Sequence, residues 1–252
     1  MSSSVFNVYS RYYDLLYRDK DYAGEVQYLR NVLVRQGIMQ GDLLDFGSGT
    51  GKHGSLLAGM GYRVHGIERS AEMVARAFEC PGFTCEQGDI CTVRLGRTYD
   101  AVLSLFHVIS YQTTNADVLS VFSRAEEHVK PGGLFVFDFW YSPAVYAQRP
   151  EVRVKRLADE HVDVTRIAEP FIHPNENRVD VNYTIYARDK VTGKIDVMQE
   201  THPMRHFSLL EIDLLCGVSG FERIGAEEFL TGKTVSENNW GACVILKKIK
   251  ND

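Results

Sequence analysis

At 252 residues the chain is long enough for one large α/β domain with a sizeable core, alone or with a small subdomain. With 44% hydrophobic and 24% charged residues it has a globular composition, and a formal charge of −5 argues against nucleic acid, which calls for a basic excess. No apolar run approaches the length of a membrane span, and Met1 to Asn7 has neither the basic nor the apolar region of a secretory leader.

Tyr9 to Gln36 has helical spacing, broken at Asp19-Lys20-Asp21 and closed by Gly37. The tyrosines at 12, 13 and 17 read first as core or interface, although helices in this position can lie across the mouth of a sheet. Leu43 to Phe46 is a short apolar run, a buried strand, followed at once by Gly47-Ser48-Gly49-Thr50-Gly51 and a helical pattern. Strand, glycine turn and helix put backbone N–H groups and a helix N-terminus at the strand's carboxyl end, where an open α/β sheet binds its ligand. Two ligands compete for this turn. Gly49-Thr50-Gly51-Lys52-His53-Gly54 is a literal G-x-G-x-x-G, with Glu68 at the right remove for a ribose hydroxyl, which is the dinucleotide pattern. The strand, however, runs into Gly47, so the pattern in register is D-x-G-x-G-x-G. The Asp45 carboxylate would face a pyrophosphate with the wrong sign, yet suits a ligand bearing an ammonium group.

Tyr62 to Glu68 is predicted as the second strand, ending on an acid able to accept both hydroxyls of a ribose. Ser70 then caps a helix with Met73 in its first turn. Phe83 to Glu86 forms a third strand, and the Asp89 carboxylate and Ile90 N–H on the next loop suit the N6–H and N1 of an adenine. Tyr99 to Leu105 is the fourth strand and opens into the loop Phe106 to Tyr111, next to the first strand in a doubly wound sheet. His107 and Tyr111 are the titratable groups there, each either a satisfied core residue or a group that orients a substrate. Asn115 to Val129 is a helix, Lys130-Pro131-Gly132-Gly133 its stop, and Leu134 to Tyr141 a strand buried on both faces. From Pro143 to Phe207 alternation, clearest over Arg178 to Tyr186, predicts an antiparallel β insertion with one solvated face. Leu209 to Val218 reads as a helix, Gly220-Phe221 begins a strand, and Trp240 to Lys248 is the last one. The five cysteines are scattered without a C-x-x-C and read as free thiols in a reducing cytoplasm, with no metal site.

The turn Asp45 to Gly51 resembles the first motif of the class I S-adenosylmethionine (SAM) methyltransferases, whose cofactor carries an amino-acid end, a sulfonium and no phosphate. With Leu95 to Val102, the loop Phe106 to Tyr111, Pro131-Gly132-Gly133, Trp140-Tyr141 and Arg205-His206-Phe207, residues 9 to 248 are similar to the N-methyltransferases of nucleotide-linked amino sugars, the desosamine and mycaminose type. The loop lacks the Asn/Asp-Pro-Pro-Tyr of amino-methylating DNA enzymes, which again speaks for a small-molecule substrate. The resemblance implies a Rossmann-like α/β fold, a seven-stranded sheet with its last strand antiparallel. It implies N-terminal helices over 1–37, a SAM-binding domain over 38–142 and 208–252, and an insertion over 143–207 that serves as substrate lid or homodimer surface.

The implied cofactor is SAM, leaving as S-adenosylhomocysteine, and its positions fall on Tyr22, Asp45, Gly47, Gly49, Gly51, Glu68, Met73, Asp89, Ile90 and Leu105. Tyr13 matches a tyrosine near the reacting amine, and Tyr111 falls where such enzymes carry histidine or tyrosine. His107 stands where they have a small hydroxyl residue, and Asp138 replaces a glutamate. Tyr13, His107 and Tyr111 are thus the candidate catalytic groups. A sugar nucleotide's diphosphate calls for cations, and Arg149, Arg153, Lys155, Arg156, Arg178 and Arg205 are the candidates, with Arg153, Arg178 and Arg205 assigned to the substrate. The rival readings are a methyltransferase for another small amine or hydroxyl compound, and a SAM-binding protein without turnover.

Overall fold

Apolar runs punctuated by glycine become the parallel strands of a central sheet, in a computed structural model that describes residues 15–78 and 80–249. β1 (Asp42–Phe46) pairs in parallel with β2 (Arg63–Glu68) on one side and β4 (Tyr99–Ser104) on the other. β3 (Phe83–Gln87) lies outside β2, and β5 (Val129–Tyr141) outside β4. β11 (Gly241–Lys248) adds antiparallel to β5, and β10 (Phe221–Glu228) antiparallel to β11. The order β3-β2-β1-β4-β5-β11-β10 therefore has seven strands, of which β11 alone runs against the others. Strand order reverses at β1, and such a switch point opens a crevice beyond the strands' carboxyl ends.

Alternation along each strand divides the core into two layers. Leu43, Leu103, Leu134, Val136 and Cys243 pack against α1 (Tyr22–Arg35) and α2 (Lys52–Gly59). A short α3 (Ala71–Ala75) follows β2, its N-terminus capped by the Ser70 hydroxyl, which accepts the Met73 N–H at 3.3 Å. Leu44, Phe46, Val102, Phe135, Phe137 and Val244 pack against α4 (Asn115–His128) and, from late in the chain, α6 (Leu209–Ser219). Asp45 and Asp138 share the phase of the first layer, and each is a buried carboxylate between apolar neighbours.

Between β5 and α6 stands the insertion. It opens on α5 (Ser142–Gln148), a helix where only strands were expected, because Pro143 in its first turn presets a helical φ. β6 (Arg153–Ala158), β7 (Val162–His173), β8 (Arg178–Asp189) and β9 (Ile195–Phe207) then form an antiparallel meander. Its inner face buries Val164, Ile185 and Ala187 around Leu16, and Val181 and Met204 around Val145 of α5. The end of β9 pairs in parallel with β5 at Trp140 and Tyr141, beyond Phe137, the last β5 residue that pairs with β4. A second departure from expectation is Lys130 to Gly133, which forms an irregularity inside β5, where a proline is tolerated, in place of a separate turn.

The turn after β1 requires glycine at two places for packing. Gly47 has φ +78°, and a Cβ there would meet Val108 at 2.6 Å; Gly51 has φ +77°, and a Cβ there would meet the Phe83 ring at 2.3 Å. Gly51→Ala is accordingly expected to lose about 3 kcal/mol in urea denaturation, from left-handed backbone strain and overpacking together. Phe83→Leu in the same chain should lose less than the two single changes summed. Unchanged stability with lost ligand affinity would instead make Gly51 a ligand contact.

Candidate active site

At the switch point lies one cleft of about 580 Å³, floored by the glycine turn and the ends of β2 and β4 and walled by the inner face of the insertion. Glu68 anchors the floor. Its Oε2 accepts the Gly49 N–H at 2.9 Å and its Oε1 the Ser70 N–H at 2.8 Å. Burial pushes this carboxyl above its usual range, with the two N–H groups opposing. Tyr22, Gly47, Gly49, Met73, Asp89, Ile90 and Leu105 join Glu68 along the cleft, so these expected cofactor positions meet in one place.

Two others do not reach it. Asp45 is 2% exposed and stands behind the lining, close enough to feel His53 and Glu68. Gly51 is sealed under Phe83. Tyr13 lies outside the described residues. Nearby, Glu25 of α1 pairs with His53 Nε2 at 2.7 Å and with Lys20, whose ammonium sits 4.2 Å from the ring centres of both Tyr22 and Phe106.

The far end of the cleft is built on strain. Phe106 and His107 are successive non-glycine residues at φ 63° and 60°, a conformation that persists only where its surroundings impose it. Asp138 imposes it: the His107 N–H donates between both Asp138 oxygens at 3.2 Å, and His107 Nδ1 lies 2.7 Å from Oδ2, off the line of a straight hydrogen bond. Burial alone would raise the Asp138 carboxyl; His107 and Lys20 outweigh it and hold the group below its usual range. The two positions that depart from the resembled enzymes are therefore one contact. Sequence reading missed the pairing, although a lone carboxylate in an apolar strand demands a partner.

Beside them, the Tyr111 hydroxyl is 2.9 Å from His202 Nδ1, and His202 Nε2 is 3.3 Å from Glu200 Oε2. Burial pushes the Tyr111 phenol far above its usual range. Tyr183 packs edge-on against His202 with ring centres 4.9 Å apart, and the Arg166 guanidinium lies 5.0 Å from the centre of the Tyr183 ring.

The substrate cations need correction. Neither Arg153, Arg178 nor Arg205 lines the cleft, nor do Arg149, Lys155 and Arg156. Arg178 is paired with Glu176 and Asp180, each at 3.0 Å, and Arg205 with Glu211 at 2.5 Å and the Asn115 side chain at 2.8 Å. Arg153 is exposed on β6, the outermost strand, and the Lys155 ammonium donates to the Leu16 carbonyl at 2.6 Å. The cations along the cleft are Arg166, Arg69 and Lys52. Alternation could have found Arg166, since it shares the inward phase of Val164 and Ala168.

Burial raises the Asp45 carboxyl to about 6, with His53 opposing and Glu68 adding. The folded chain then holds this proton more tightly than the unfolded one, so stability falls as pH rises from about 4 through 6. In the ligand-free protein Asp45→Asn should abolish that fall and gain up to about 3 kcal/mol at pH 7, read from urea midpoints at pH 5 and 7.

Comparison with known proteins gives the chain its relatives. Residues 43–133 match the model of a methyltransferase domain. Over 176 residues the chain is 30% identical to the dTDP-3-amino-3,4,6-trideoxy-alpha-D-glucopyranose N,N-dimethyltransferase of Streptomyces venezuelae, covering 69% of this chain and 74% of that one. A sugar N-methyltransferase from Streptoalloteichus superposes with a TM-score of 0.83 at 21% identity, covering 100% of this chain and 96% of the other. An amino pentose methyltransferase from Micromonospora echinaspora does so at 0.76 and 23% identity, over 98% and 99%. The cleft fits the cofactor of such enzymes, with an acid at the end of β2, bare backbone at Gly49 and an apolar bed at Met73, Ile90 and Leu105. The chain belongs to the class I SAM-dependent methyltransferases, in the family of the nucleotide-linked amino-sugar N-methyltransferases.

Proposed function

We propose that this enzyme methylates the amino nitrogen of a nucleotide-linked amino sugar in the cytoplasm, where its five cysteines remain thiols. The observation that carries the reading is the continuity of the cleft, which runs from the glycine turn to a wall of Tyr111, Tyr183, His202 and Arg166. One end suits the cofactor and the other is walled by side chains suited to a second ligand. The activity of the S. venezuelae relative supports the choice of acceptor.

In this reading Glu68 holds the ribose, Asp89 and Ile90 meet the adenine, Met73 and Leu105 pack beside it, and Gly47, Gly49 and Tyr22 receive the amino-acid end. Asp45 contributes its charge from behind, not a contact. When bound, SAM supplies a methyl group on a sulfonium, an electrophile that needs no covalent link to the protein. The protein's part is to hold the acceptor nitrogen in line and about 3 Å away, a positioning term worth several kcal/mol. That nitrogen must be neutral to attack. His107 takes its proton, and the buried, ionised Asp138 steadies the imidazolium that forms, as the aspartate of a catalytic triad does. Arg166 and Arg69 are the cations offered to the diphosphate.

Incubation with SAM and a dTDP-linked 3-amino sugar should add one or two methyl groups to nitrogen by mass spectrometry; methylated oxygen, or no product with any acceptor, would overturn the reading. His107→Ala should lower kcat about a hundredfold and remove the acidic limb of the pH–rate profile. An identical limb in both enzymes would show that His107 is not the base. Arg166→Ala should raise KM for the sugar nucleotide about tenfold and leave that for SAM in place, whereas Arg178→Ala should change neither.

A further inference from the structure

Glu200 and His202 stand on the inward face of β9, two residues apart, across the ladder from Tyr183 and Val181 of β8. Both side chains are nearly sealed from solvent, at 6% and 4% exposure. A carboxylate can only accept, so with Glu200 Oε2 3.3 Å from His202 Nε2 the neutral ring keeps its proton on Nε2. Nδ1 is then a bare acceptor, and the Tyr111 hydroxyl, 2.9 Å away, must donate to it. Edge-on contacts from Tyr111 and Tyr183 fix the plane of the imidazole between them. A phenol has one proton. Once that proton is given to His202, every other group that meets the Tyr111 oxygen has to bring its own.

We propose that Glu200 and His202 are positioning residues that hold the Tyr111 O–H on His202 and away from the substrate, so that the acceptor end of the cleft holds its substrate through the substrate's own N–H groups. The inference rests on the amine reading of the site and gives it a consequence. A primary amine offers two N–H groups when neutral, and each methyl added replaces one. After two transfers the neutral nitrogen has none left, and the contact that retained it is lost. The same triad thus favours retention of the free and singly methylated amine and release of the dimethylated product.

The tautomer is measured first, in the enzyme alone, from the nitrogen shifts of the His202 ring in a 15N-histidine sample. A protonated Nε2 and bare Nδ1 are expected; a proton on Nδ1 in the unsubstituted enzyme overturns the inference whatever the acceptor proves to be. Glu200→Gln replaces a pure acceptor by an amide that can also donate to Nε2, so the ring proton is no longer held there and the Tyr111 O–H is freed to swing toward the cleft. Kinetics then close a cycle with dTDP-3-amino-3,6-dideoxyglucose. Tyr111→Phe should raise KM about tenfold with less change in kcat. Glu200→Gln should raise KM comparably, yet add nothing in the Tyr111→Phe background. An equal loss in both backgrounds would make Glu200 structural support and overturn its assigned role. Failure to methylate any amino sugar would sink the proposed function and leave the tautomer result standing.

Discussion

Glu68 accepts the N–H groups of Gly49 and Ser70, and through those two bonds one side chain ties the glycine turn after β1 to the helix start after β2. Asp138 does the corresponding work on β5, where it fixes the main chain of His107. Groups that can only accept, once withdrawn from water, must be met by donors or lose their charge. Here the donors are the loops themselves. The loops follow the carboxylates, and the cleft takes its shape from where the strands end.

The cofactor half was readable because its signals are local. Strand end and glycines adjoin after β1, the acid closes the very next strand 19 residues beyond Gly49, and alternation placed the sheet around them. The acceptor half was not, because its contacts join distant parts of the chain. Asp138 and His107 are 31 residues apart, and Tyr111 and His202 are 91. Charge was misread for a related reason. Arg178 and Arg205 count as cations in a sequence, but Glu176, Asp180 and Glu211 neutralise them before any ligand arrives. Arg166, whose head lies against an aromatic ring at the cleft, was not among the cations counted and has the better position.

The two halves also draw on different parts of the chain. The common methyltransferase domain ends near residue 133, whereas Arg166, Tyr183, Glu200 and His202 belong to the insertion. The cleft is thus shared between the two segments, with His107 and Tyr111 of the common domain facing the side chains of the insertion. On the common-domain side the lining is mainly the backbone of the glycine turn with Glu68 at the end of β2. On the insertion side the lining is side chains of an antiparallel wall, so a single inward residue on β7, β8 or β9 changes the shape of the cleft.

That wall is joined to the rest at more than its two chain ends. The last residues of β9 continue the edge of β5 past the point where β4 stops, at Trp140 and Tyr141. A flap hung on one flexible loop can swing; a flap hydrogen-bonded into the same strand that bears Asp138 would have to tear its own hem to do so. The width of the pocket on that side is therefore set by the same strand that sets the position of Asp138.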